Sequence, residues 1–371
     1  MITWRTGTVV SLGASWAGAQ EMTVETPDGT VRALAYPVVV GDVAVGDRVL
    51  LNVTALTRGL GTGGYALVVA RPDALPPDPP PGPGHLVKGR YTPQQAMVLG
   101  VDEQESAHHA LLRDADDLAG LPVVVADLHS ALPAVVAGAR WAAERAGRPL
   151  PRVAYVMTDG GALPAWFSRT VATLRDAGWL AACVTVGQAF GGDLEAVTVH
   201  TGLLAARLVV GADLAVVAQG PGNLGTGTRW GFSGVAVGEA LNAAAVLGGR
   251  PVAALRVSGA DPRERHRGVS HHSLTAVGRV ALAPADVVVP AGEVPGDAGR
   301  TALRARVREQ AAALCRPAGR HALVEVAVEG GLTEALAAAP VRLSSMGRGL
   351  AEDPEAFVAS AVAGVHAERL R

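Results

Sequence analysis

Cysteine is nearly absent. The 371 residues contain two, Cys183 and Cys315, each inside an apolar run, and there is no CxxC pair. That excludes a disulfide framework and a structural zinc site of the paired-cysteine kind, and it leaves buried free thiols in a reducing cytoplasm as the expectation. Charge of one sign is missing too. Lys and Arg number 32 against 34 acidic residues, with no basic block, so neither nucleic acid nor an anionic membrane surface is the expected partner. No apolar segment follows a basic start at the N-terminus, so no signal peptide is expected. The most apolar window, Leu203 to Ala218, is broken by Arg207 and Asp213 and is too short to span a bilayer. No repeat of fixed period is visible.

What is present divides into a β-rich start and a longer region of alternating strand and helix. Met22, Val24 and Thr26 alternate toward Pro27-Asp28-Gly29, and Val31, Ala33 and Ala35 alternate away from it, which is a hairpin signature. About five short strands in residues 1–71 predict a small all-β barrel. The glycines at 59, 61, 63 and 64 read as a hairpin loop, since no helix follows them. Seven prolines lie between Pro72 and Pro83, so residues 72–90 are expected to form a semi-rigid linker, with a docking peptide for a proline-recognition module as the alternative. Thr92-Pro93 could open a helix, or the following apolar residues could form a strand.

Residues 91–371 predict a mostly parallel, doubly wound, Rossmann-like α/β domain. Strands are expected at Pro122 to Val125, Pro151 to Met157, Leu180 to Val186, Leu214 to Ala218 and Val252 to Val257, with later ones near Val287 and Ala322. Runs that are apolar throughout, joined by amphipathic helices, indicate a sheet covered on both faces. Ser233 is expected to cap one helix and Asp353 the last, with Pro354 at its first position.

Ligands of such sheets lie beyond the carboxyl ends of the strands, so chemistry is sought there. Those ends carry Asp127 and His129, then Asp159, then Gln219 and a glycine-rich loop, then Asp261, His266, Arg267, His271 and His272. Asp127, His129, Asp159 and His271 are the candidate acid/base groups. Gln219, Gly220, Gly222, Asn223, Gly225, Thr226 and Gly227 are candidates to hold an anion, because successive glycines let backbone N–H groups converge on it. Arg267 could clamp a phosphate or carboxylate. Gly220, Gly222 and Gly225 also match GxGxxG, but the next helix begins late and no acidic residue ends the next strand, where Arg256 and Ser258 stand instead and could suit a 2′-phosphate. Asp261, His266 and His272 are candidate ligands of a divalent metal, Zn²⁺ or Mn²⁺. On an extended chain the adjacent His271 and His272 would point apart, so only one of them is expected to face a given ligand. Glu195 is a further candidate base. His108, His109 and His200 are read as structural.

The blocks DLHSALP at 127–133, YVMTDGGALP at 155–164, GQAFGGDLEAVTV at 187–199, QGPGNLGTGTRWGFSG at 219–234, RHRGVSHHSLTA at 265–276 and SSMGRGLAEDP at 344–354 resemble a bacterial family, common in actinobacteria, known as a domain of unknown function. The resemblance carries no reaction and no catalytic residues. The expectation from the residues is therefore a cytoplasmic enzyme, hydrolase-like, that binds a small anionic or phosphorylated metabolite. A non-catalytic sensor or assembly protein is the alternative, and an NADP-dependent oxidoreductase a third reading. The cofactor stays open, with a divalent metal as a candidate, and so does the oligomeric state, a homo-oligomer included.

Overall fold

A computed structural model of the chain describes residues 1–316 and 319–371. They fold into two compact units, Met1–Leu99 with Trp166–Ala172, and Gly100–Ala165 with Thr173–Arg371.

The first unit is built on a closed barrel of β1 (Trp4–Trp16), β2 (Ala19–Thr26), β3 (Gly29–Ala35), β4 (Arg48–Asn52) and β5 (Ala66–Ala70), in the order β1-β2-β3-β5-β4. The expected hairpin joins β2 to β3, with antiparallel pairs running from Gln20↔Ala35 to Thr26↔Gly29. Alternate residues point inward, so Val9, Met22, Val24, Ala33, Ala35, Val49, Leu51 and Val68 fill the interior. One-turn helices α1 (Pro37–Val40) and α2 (Thr54–Thr57) bridge the strands. The 59–64 glycine segment connects α2 to β5, and Gly59, Gly63 and Gly64 take the positive φ that such a turn demands. A short antiparallel ribbon, β6 (Leu86–Lys88) with β7 (Ala96–Val98), follows the prolines, which makes the segment after Thr92-Pro93 a strand.

The second unit carries an eight-stranded sheet in which every pairing is parallel. After the one-turn α3 (His109–Leu112), β8 (Pro122–Ala126) enters its middle. All five residues of β8 are buried, as Val-rich strands covered on both faces require. The chain then passes through α4 (Leu132–Arg145) to β9 (Val153–Thr158), through α5 (Arg169–Asp176) to β10 (Ala182–Thr185), and on to the edge strand β11 (Leu194–Glu195). α6 (Val199–Leu208) returns it to β12 (Leu214–Gln219), which inserts between β9 and β8. From there α7 (Ala236–Val246) crosses to β13 (Arg250–Ala254) on the far side of β8. The order is β11-β10-β9-β12-β8-β13-β16-β17, so the chain leaves in opposite directions from β9 and β12, and from β8 and β13. These are the switch points at which a parallel sheet opens a crevice.

Past β13 the chain makes a two-stranded ribbon, β14 (Val257–Ser258) with β15 (Gly268–Val269), then α8 (His271–Thr275) and a π-helical turn at Ala276–Val280. β16 (Asp286–Ala291), α9 (Ala298–Cys315), β17 (Ala322–Ala327), α10 (Leu332–Ala337), a small ribbon of β18 (Ser344–Ser345) with β19 (Arg348–Gly349), and α11 (Pro354–Arg369) complete it. Val123 and Val125 face a core shared with Leu203 of α6, Leu241 of α7 and Val307 of α9. On the opposite face α4 and α11 pack backbone to backbone. A Cβ on Gly138 would lie 2.0 Å from the Ala361 carbonyl oxygen, and one on Gly364 would lie 1.9 Å from that of Val135.

Two expected helix caps are replaced. Asp353 stands at the N-cap of α11 but bonds none of its amides, because Gly259 N–H, Ser258 Oγ–H and Arg348 take its carboxylate. Ser233 Oγ accepts from Leu224 N–H and donates to Asn223 Oδ1, and a 3-10 turn at Ser233–Val235 leads into α7. Among the described residues no helix is long and apolar enough to cross a membrane.

Candidate functional site

Asp127 is the first residue past β8 and is 4% exposed. Its carboxylate lies against the backbone of Gly234, where an added Cβ would stand 1.6 Å from Oδ1, so the carboxylate and a side chain at 234 cannot coexist. Gln219 ends β12 and donates from Nε2 to the Asp127 carbonyl at 3.0 Å, tying the ends of two adjacent strands together. From β9, the buried Tyr155 hydroxyl reaches the carbonyls of Ala218 and Gln219 at 3.1 and 3.0 Å and lies 3.1 Å from His129 Nδ1. Burial holds the phenol well above its ordinary pKa and pushes His129 down to about 4, so both are neutral at pH 7.

The histidines reach the same place from the other side of β13. Ser270 caps α8 by accepting from His272 N–H, and its hydroxyl lies 2.8 Å from His266 Nδ1. Because the backbone is helical from His271 onward, neighbouring side chains diverge by about 100° rather than the 180° of a strand. His271 and His272 therefore both turn toward His266, which corrects the expectation that only one of the pair could do so. Ring centroids are 4.9 Å apart for His266 and His271, 5.0 Å for His266 and His272, and 4.4 Å for His271 and His272. One ring nitrogen from each lies within 4.8 Å of the others. Phe232, where the glycine-rich segment re-enters the domain, stacks on His272 with centroids 3.9 Å apart.

Two of these imidazoles, His266 and His271, are neutral at pH 7. Burial, followed by the charges of Arg256 and Arg263, pushes His266 down to about 3, and burial with His272 and Arg265 pushes His271 down to about 4. His272 Nδ1 lies 3.1 Å from Asp127 Oδ2 and 3.2 Å from Arg256 Nη1. It can donate to the first or accept from the second, not both, and the carboxylate favours the proton on Nδ1. Three buried atoms here have no hydrogen-bond partner among the described residues: Asp127 Oδ1, Gln219 Oε1 and His271 Nε2. Two clefts flank Asp127. One is lined by Ser130, Arg256, Ser345, Phe357 and Ser360, the other by Thr158, Gln219, Ser233 and Gly234.

The structure thus gathers Asp127, Gln219, His266, His271 and His272, with His129 linked to them through Tyr155 and the end of β12. Other candidates lie elsewhere in bonding terms. Asp159 is exposed, and its Oδ2 accepts from Gln188 N–H at 2.8 Å. Asp261 is held by Arg263, from Nε and Nη2 at 2.9 Å each, and by Arg348 at 3.3 Å; Arg263 comes first in keeping its pKa far below the usual carboxylate range. Arg267 is exposed and donates from Nε to the Asp261 carbonyl. Glu195 accepts from Thr185 Oγ–H and Gly191 N–H.

Much of the glycine-rich loop bonds to itself. Gly225 bridges Phe232 in antiparallel fashion, Thr226 N–H donates to Gly231 O at 2.7 Å, Gly231 N–H donates to Thr228 Oγ1, and Ser233 N–H donates to Leu224 O. Gly220 N–H donates to Thr158 O. Gly222 and Gly227 take positive φ, and Gly222, Gly227 and Asn223 lie along the same excursion.

Tyr155, Phe232 and Ser270 join the site without having been singled out as its members, and Arg256 joins it having been noted only as a residue that could suit a 2′-phosphate. Ser270 directly before two histidines is the one sequence signal that would have helped, because an N-cap serine implies a helical pair.

The chain belongs to the family described as "Protein of unknown function (DUF3866)", whose profile matches residues 32–364 and so includes every residue of this site. No curated protein matches the chain.

Proposed function

We propose that this protein is a metal-assisted hydrolase of a small anionic metabolite, with His266, His271 and His272 as the ligands of one divalent ion. The observation that carries this reading is the convergence of three imidazoles, one nitrogen of each within 4.8 Å of the others. Three nitrogen ligands with an open fourth position are a donor set suited to catalytic Zn²⁺. Tetrahedral bonds of about 2.0–2.1 Å place ligand nitrogens roughly 3.4 Å apart, so binding would draw the imidazoles inward. Asp127 would orient His272 by accepting its Nδ1 proton, as carboxylates behind metal-bound histidines do. Water on the ion would ionise near pH ~7 and supply the nucleophile. Asp127 Oδ1, buried and unbonded, is an acceptor for a hydrogen of that water or of the substrate.

The test is metal content and turnover of tagless protein. The wild type should carry one Zn²⁺ or Mn²⁺ per chain, and His271→Ala should lose it. Asp127→Asn should weaken affinity by about 10–100-fold. A wild type that stays metal-free at micromolar Zn²⁺ defeats the proposal. Stabilisation by small anions without turnover on phosphatase and esterase substrates would favour a sensor instead.

A further inference from the structure

We infer that Arg256, with the hydroxyls of Ser130, Ser345 and Ser360, forms an oxyanion subsite for a carboxylate or phosphate in the cleft between the ends of β8 and β13. As the anchor for a substrate's charged group, this subsite rests on the hydrolase reading. As a place where an oxyanion binds, it does not.

The Arg256 side chain is 8% exposed, and its one ion pair among the described residues is a 3.5 Å approach of Nη1 to Asp127 Oδ2. That is well outside the 2.7–2.9 Å of a charge-assisted hydrogen bond. A guanidinium taken out of water needs a partner that matches its fork of donors. The same unit shows what full pairing looks like: Arg304, 6% exposed, donates to both oxygens of Glu355, from Nε at 3.0 Å and Nη2 at 3.1 Å. Arg256 has no such partner, yet it lines a cleft with three serines.

The surroundings suit an anion. Ser130 and Ser345 hydroxyls lie 3.0 Å apart, one just before α4 and the other in β18. Ser360 reaches the cleft from the second turn of α11. The cleft is also lined by Ala131, at the N-cap of α4, and by Ala356, in the first turn of α11, and neither helix carries a side-chain cap bond. α4 continues the 3-10 turn at His129–Ala131, which takes Leu132 N–H, and α11 has Asp353 and Glu355 at its start, so the anion's binding rests on Arg256 and the hydroxyls. Asp127 shares the cleft and would repel an anion, but His272 Nδ1–H and Arg256 border its Oδ2. The glycine-rich loop takes no part in this lining.

The experiment measures binding of inorganic phosphate and of acetate to EDTA-treated protein by calorimetry at constant ionic strength. Wild type should bind at least one of them, and the tighter of the two names the substrate's charged group. Arg256→Met should weaken binding at least tenfold. Arg256→Lys keeps the charge but loses the fork and should fall between the two. The pair S345A/S360A, which leaves Arg256 in place, should weaken binding several-fold and keeps the test decisive if Arg256→Met does not fold. No binding of either anion to wild type, or unchanged binding in both Arg256→Lys and S345A/S360A, overturns the inference. Anion binding in a protein that takes up no metal would uphold this subsite while removing the hydrolase reading.

Discussion

The buried polar groups around Asp261 and those around Asp127 use the same residue types and differ in how completely they are bonded. In the first cluster, Asp261 Oδ1 accepts from the backbone and Nε of Arg263, and Oδ2 accepts from Arg263 and Arg348. Asp353 beside it accepts from Gly259, Ser258 and Arg348. In the second, a carboxylate oxygen, an amide oxygen and an imidazole nitrogen are buried with no partner, and the guanidinium is 3.5 Å from its carboxylate. A saturated network fixes architecture, whereas an unsaturated one in the same unit has capacity left for a ligand.

The sharpest way to break this comparison is to delete one member of each cluster. Asp261→Ala takes the carboxylate away from Arg263 and leaves Arg348 with Asp353 alone, and should cost about 3 kcal/mol in urea denaturation while metal affinity holds. His271→Ala, in metal-free protein, should change stability by less than about 1 kcal/mol, because its inner nitrogen is bonded to nothing. Equal losses from the two would dissolve the distinction.

Acid gives a second effect, in which the imidazoles of the unsaturated cluster take part. His266 is held at about 3, and His271 and His129 at about 4, while an unfolded histidine titrates near ~6.5. Folded values below the unfolded one mean that the unfolded chain takes protons first. Stability is then full above about pH 6.5 and falls as pH drops toward 4. About three protons should be taken up on unfolding at pH 5, measured as the slope of unfolding free energy against pH, and His266→Gln should remove about one of them. A flat profile between pH 7 and 5 would mean that the imidazoles are solvated. Bound Zn²⁺ should steepen the slope, since protons compete with the ion for the same nitrogens.

The fold was legible wherever local pattern decides it. Alternation on both sides of Pro27-Asp28-Gly29 dictates the hairpin, and valine runs buried on both faces dictate a parallel sheet. Strand order was not legible, because the insertion of β12 between β9 and β8 depends on pairings about 60 to 90 residues distant in the chain. The site was legible in part for the same reason. Asp127, Gln219 and the three histidines stand at strand ends and helix starts that pattern can place. The roles of Asp261 and Arg256 turn on how closely charged groups reach them: Arg263 holds Asp261 at 2.9 Å and Arg348 adds 3.3 Å from 87 positions away, whereas Asp127 comes to 3.5 Å of Arg256. Hydrogen-bond saturation is a property of the folded chain, and residue type does not reveal it.

The glycine-rich loop offers the smallest expected effect and a clean discrimination. In sequence it is the most conspicuous feature, and a backbone cradle would need its glycines bare. Gly225 does not require a positive φ, and a Cβ there would meet nothing nearer than the Gly231 carbonyl oxygen at 4.0 Å. Gly225→Ala should therefore shift stability by only about 0.5 kcal/mol, toward the stable side, by narrowing the unfolded ensemble. Phosphate affinity should be unchanged if Arg256 holds the anion. If instead the loop wraps an anion against its main chain, the added methyl group stands where the ligand must approach and affinity falls, with Arg256→Met then nearly silent.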